Sequence, residues 1–115
     1  MTNPIRYAIL DDASDEANLW ELPWNAINEN GVEIHPRRTV EEVRPWLIDL
    51  VRDGHVVIFR MDEPDAPNLE LNEALAVVAD EDNWDPSRAQ TVYGVITTES
   101  GDREHELERD AAKRQ

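Results

Sequence analysis

The sequence predicts an α+β domain in which three to four helices pack on a small sheet. Two runs rich in β-branched residues, HVVIFRM at 55–61 and TVYGVITT at 91–98, predict strands. Apolar residues recur with helical period over 39–51 and 71–78. Since both kinds of element alternate within 115 residues, we expect a two-layer domain around one core.

The N-terminal part predicts shorter elements. YAIL at 7–10 predicts an edge strand or a lead-in. Ser14 is expected to cap a helix whose first turn carries Asp15 and Glu16, where the helix dipole favours acids. Pro23 is expected to kink that helix or to divide it in two.

The second of those short helices would run from Pro23 to Asn30 and end at Gly31. GVEIH, at 31–35, predicts a short strand. The helix expectation depends on local signals alone, a proline at its start and a glycine at its end.

The clearest helix start is at Thr39, because Thr39 and Glu42 have the spacing of a capping box. Pro45 removes a backbone hydrogen bond, so we expect a kink there or a shortened helix that begins at Pro45. Asp53 and Gly54 predict its end. The apolar stripe consists of Val40, Val43, Trp46, Leu47, Leu50 and Val51.

The C-terminal part predicts one more core helix and then a polar one. The core stripe consists of Leu71, Ala74, Leu75 and Val78. We expect residues 1–98 to form the compact domain and 99–115 to form a polar helix or tail capped by Thr98. With only Leu107 and Ala111 as an apolar pair, that helix would dock weakly, dimerise or fray.

Composition excludes several classes of protein. The chain has no cysteine, which excludes disulfides and thiolate chemistry and fits a reducing cytosol. No long apolar run predicts a membrane span, and the N-terminus lacks the pattern of a signal peptide. The expectation is a soluble cytoplasmic protein.

The formal net charge of −15 disfavours nucleic acid and anionic membranes, and favours a protein partner with a basic surface. The alternative is that this negative charge simply keeps the protein soluble. A homodimer remains open. The candidate partner surface comprises Asp11, Asp12, Asp15, Glu16, Trp20 and Trp24. The candidate phosphate contacts, should the chain bind DNA, are Arg37, Arg38, Arg44 and Arg52.

No motif predicts catalysis, a metal or a cofactor. His35, His55 and His105 lie in different predicted elements, and no serine lies in a nucleophile elbow. Acids at a helix start are explained by the dipole. DEDNWD, at 80–85, fails the calcium-loop pattern, and its Trp84 predicts a helix end anchored in the core.

The C-terminal 45 residues resemble known DNA-binding domains. VYGVITTESGDREHE, at 92–106, resembles the end of the winged-helix domain of bacterial MarR- and PadR-type regulators, with the turn supplied by Ile96 and Thr97, or by Thr97, Thr98 and Gly101. LNEALAVVADEDNW, at 71–84, resembles a helix of small uncharacterised bacterial proteins of winged-helix-like fold. The resemblance implies DNA binding, which needs a basic recognition helix and wing that this chain lacks.

Three functions follow from these observations. The leading one is a non-enzymatic acidic interaction module: an adaptor, an immunity-type inhibitor or a DNA mimic. The second is a winged-helix transcriptional regulator that reads DNA through the arginine-bearing helix. The third is a small enzyme that works with carboxylates and one histidine.

Overall fold

A computed structural model describes residues 3–24, 31–35, 38–63 and 65–113, apart from the side chain of Ala112. It contains four helices, α1 (Pro4–Ser14), α2 (Val40–Arg52), α3 (Leu71–Ala79) and α4 (Glu99–Lys113). Three antiparallel strands, β1 (Ala17–Asn18), β2 (Val56–Arg60) and β3 (Tyr93–Thr97), form one sheet. The expected α+β class is therefore confirmed.

The first helix begins earlier than its sequence pattern suggested. Residues 7–10, expected as an edge strand or a lead-in, lie inside α1, and Ser14 is the last residue of α1 rather than the cap of a later helix. The cap is Asn3, whose side chain accepts hydrogen bonds from the amides of Ile5 (2.9 Å) and Arg6 (3.1 Å). Pro4 then occupies the first helical position, where a missing N–H costs nothing.

The segment after α1 forms a turn instead of the expected helix. Asp15 and Glu16 follow α1, and Glu16 adopts a left-handed backbone with φ 61°. β1 and a 3₁₀ turn at Leu19–Glu21 come next. Of the expected helix from Pro23 to Asn30, residues 25–30 lie outside the described residues. The expected strand at 31–35 is reduced to a single bridge at Glu33.

α2 has the expected capping box and runs unbroken from Val40, so the shortened helix was wrong. Thr39 Oγ1 accepts from the Glu42 amide at 3.2 Å, and the Glu42 carboxylate accepts from the Thr39 amide at 3.3 Å. Pro45 has no N–H to donate to the Glu41 carbonyl. The helix tolerates this because both residues are exposed to solvent.

β3 is the central strand, in the order β1-β3-β2. Ile58 of β2 lies opposite Val95 of β3, and Ala17 of β1 lies opposite Val95 on its other side. These side chains face the helices and form one core. Its largest fully buried members are Ile9, Leu10, Leu19, Leu22, Val43, Leu47, Leu50, Val56, Ile58, Val78 and Val95.

The last two helices differ in detail from expectation. α3 buries Ala74, Val77 and Val78, whereas Leu71, expected in the core, is 48% exposed. α4 packs along α1, and Arg6 donates to Glu108 at 2.5 Å. Thr98 caps α4 as expected by accepting from the Gly101 amide.

Over the described residues, no helix combines the length and the apolar character that a membrane crossing requires.

Candidate functional site

A cluster of two histidines and one carboxylate joins three parts of the chain. His35 Nε2 donates to Asp11 Oδ2 at 2.8 Å, and His105 Nε2 donates to Asp11 Oδ1 at 2.9 Å. The Tyr7 ring lies against both imidazoles, with ring centroids 5.9 and 5.6 Å away. No sequence pattern indicated this cluster, because its members are 24 and 94 residues apart along the chain.

The hydrogen bond from His35 is the main cause of the lowered pKa of Asp11. Burial raises the pKa of Tyr7. Neither described cavity is lined by these residues. Among the residues that the structure describes, no group of histidines and carboxylates could hold a metal ion. The cluster therefore clamps α1, α4 and the segment at 31–35 together.

Two of the four arginines named as phosphate contacts, Arg38 and Arg44, are turned inward. The buried Arg38 side chain donates to Asp12 at 2.9 Å, and burial lowers its pKa. Arg44 is partly buried, with its guanidinium 6.0 Å from the centre of the Trp84 ring. Arg52 is exposed, and Arg37 lies outside the described residues. The structure thus gives no continuous arginine surface on α2 over the residues it describes.

A serine, a histidine and a glutamate meet at the start of α4. Ser100 Oγ lies 3.0 Å from His55 Nδ1, and Glu104 lies 3.5 Å from His55 Nε2. In space, Ser100, His55 and Glu104 are arranged like a nucleophile, a base and an orienting acid. However, Ser100 and Thr98 also donate to the Gly54 carbonyl, at 3.2 and 2.6 Å, and neither described cavity opens here. This network fastens α4 to the turn after α2.

A concave surface surrounds a second 3₁₀ turn, Glu81–Trp84, at the end of α3. A cavity of about 460 Å³ on one side is lined by Glu73, Asp80, Asp82, Arg88 and Tyr93, among others. A cavity of about 250 Å³ on the other side is lined by Glu41, Arg44, Glu81, Trp84, Asp85 and Arg88. We call the larger one the acidic cleft.

Hydrogen bonds fix the turn beside the acidic cleft, and the one from Trp84 is buried. Trp84, expected as an anchor, is 5% exposed, and its indole donates to the Val78 carbonyl at 2.8 Å. Asn83 donates to the Val77 carbonyl at 3.0 Å. Asp80 caps the 3₁₀ turn by accepting from the Asp82 amide at 3.0 Å. These bonds fix the backbone of the turn that carries Asp80 and Asp82.

Cations only partly neutralise the acidic cleft. Arg88 lies 3.7 Å from Asp82 and 3.8 Å from Asp85, distances typical of loose, solvent-screened pairs. Arg60 binds Glu73 more closely, at 2.8 Å. Beside the cleft, Asp85 lines the smaller cavity, and hydrogen bonds from Ser87 lower the pKa of its carboxylate. The cleft therefore presents a negative surface with polar and aromatic walls.

The partner surface expected from the sequence is only partly available. Asp11 and Asp12 are engaged with His35 and Arg38, as described above. Asp15 and Glu16 are exposed, Trp20 is half-buried, and Trp24 is 75% exposed. Comparison with family models, with curated proteins and with solved structures found no match, so any function must be argued from these surfaces.

Proposed function

We propose that this chain is a non-enzymatic interaction module that binds a basic segment of another protein. The observation that carries the proposal is the acidic cleft, where Glu73, Asp80 and Asp82 line one concave surface. A lysine or arginine side chain placed there would meet three carboxylates, two of which, Glu73 and Asp82, it would share with Arg60 and Arg88. Tyr93, on the wall, adds an aromatic surface of the kind on which guanidinium groups stack.

The charge of the whole molecule supports the same partner. A net charge of −15 attracts a basic surface over long range and speeds its encounter with the cleft. An adaptor, an immunity-type inhibitor and a DNA mimic all share this chemistry. A cysteine-free chain suits the cytoplasm, where we place this activity.

The alternatives receive less support. Of the described arginines on or next to α2, Arg52 is exposed, but Arg44 is partly buried over Trp84 and Arg38 is paired with Asp12, so DNA would meet a single exposed cation there. Catalysis by carboxylates and a histidine would need these groups at a cavity, and the two described cavities contain no histidine.

The proposal is tested by titrating the protein with a short arginine-rich peptide and measuring affinity by calorimetry. The double variant Glu73→Gln, Asp82→Asn removes two charges from the acidic cleft with little change of shape. We expect it to weaken binding by about tenfold, a loss of about 1.4 kcal/mol.

The matched control is Glu106→Gln with Asp110→Asn, which removes two exposed charges from α4. It should change affinity far less, because those acids act only through the screened overall field. Equal losses in the two double variants would show that the peptide responds to net charge and not to the cleft, and would overturn the proposal.

A further inference from the structure

The sheet has a second face, which carries an apolar strip. Side chains of a strand alternate between faces, so Val56 and Ile58 point into the core while Val57 and Phe59 point the other way. In the antiparallel register Val57 lies opposite Ile96, and Phe59 lies opposite Gly94. A hydrogen bond from the Met61 amide to the Val92 carbonyl, at 2.9 Å, continues the ladder by one more pair.

We call the surface formed by Val57, Phe59, Met61, Val92, Gly94 and Ile96 the outer strip. It contains no charged residue. Val92 is 44% exposed, and Val57, Phe59, Met61 and Ile96 are half-buried. Within the described residues, none of them belongs to the hydrophobic core or to the partly buried residues packed against it.

The absence of a side chain at Gly94 shapes the outer strip. A Cβ at this position would collide with the Phe59 ring and would lie 2.9 Å from Met61 Cε. Both side chains therefore lie over the Gly94 backbone, and the apolar surface continues from one strand to the next. Contiguous apolar surface of this kind on a small protein is typical of a binding site.

The charges around the outer strip indicate what covers it. Exposed Asp62 and Glu63 follow Met61 at one end. At the other, exposed Glu99 and Asp102 follow Ile96, and Arg103 pairs with Glu99 at 3.3 Å, so acids outnumber the cation there too. A second copy of this chain would bring the same acids against these and would add its own charge of −15. A segment with apolar side chains between lysines or arginines has complementary charge instead.

We infer that the outer strip is a second docking surface, which binds an amphipathic, basic segment of a protein through its apolar side chains. It is distinct from the acidic cleft, since Tyr93, which lines the cleft, and Val92, on the outer strip, point to opposite faces of the sheet.

The test uses an amphipathic peptide of leucine and lysine, with a peptide of the same pattern in leucine and glutamate for comparison. We expect the lysine peptide to bind the full chain and to shift the amide NMR signals of Val57, Phe59 and Ile96. The double variant Val57→Thr, Ile96→Thr keeps β-branched residues in the sheet and should weaken binding by about tenfold. Circular dichroism and the melting temperature would verify that it folds.

Leu107→Gln, on the exposed surface of α4, is the matched control and should leave affinity unchanged. Shifts confined to Glu73 and Asp82 would overturn the outer strip while leaving the acidic cleft intact. The inference would also be overturned if the two peptides bound equally well, or if neither bound. Self-association in sedimentation that Val57→Thr abolishes would assign the strip to a second copy and contradict the inference.

Discussion

One carboxylate, Asp11, binds two histidines that lie 24 and 94 residues away along the chain. At the scale of single residues, such convergences cannot be read from spacing. The sequence does show that Asp11, His35 and His105 exist, but three-dimensional packing decides that they meet. The same is true of Arg38, which looks like a surface cation in IHPRR and is buried against Asp12.

The pKa of Asp11 in the folded chain is lowered from 3.8, chiefly by the hydrogen bond from His35. The folded state therefore favours the ionised form, and its stabilisation is present above about pH 4 and lost as the pH falls through the folded pKa. We expect the difference in free energy of unfolding between wild type and Asp11→Asn to shrink between about pH 5 and pH 3. A difference measured by urea denaturation that stays constant or grows would contradict this.

At the scale of elements, strong local signals were reliable and weak ones were not. The capping box of α2 and the β-branched runs of β2 and β3 were predicted correctly, because both the local preference and the burial favour the same element. The Asn3–Pro4 start of α1 carries a good cap signal, but YAIL beyond it is a short apolar run, which periodicity cannot assign to helix or strand.

Thr39→Ala should lower the free energy of unfolding by about 1 kcal/mol, because it leaves the Glu42 amide without its side-chain acceptor. Thermal or chemical denaturation measures this loss. Asp49→Asn, an exposed change in the middle of the same helix, should cost less than half as much. If the two variants are equally stable, the capping box does not stabilise α2.

At the scale of the whole molecule, charge is the property that the sequence determines most completely. A value of −15 follows from composition alone, whereas the acidic cleft depends on how α3 and its 3₁₀ turn meet β3. From its sequence, DEDNWD was predicted to be a helix end, and it fails the calcium-loop pattern. No sequence feature predicted the cavity beside it. The winged-helix resemblance remains a prediction, as does the absence of enzymatic activity.

The acidic cleft, together with the net charge of −15, should bind cationic partners and repel polyanions. The most direct measurement compares the affinities of the wild-type chain for an arginine-rich peptide and for duplex DNA as salt rises from about 50 to 200 mM. We expect the peptide to bind and to weaken steadily with salt, and the duplex to show no binding even at the lowest salt. Duplex binding that weakens with salt, together with no binding of the peptide, would contradict the account.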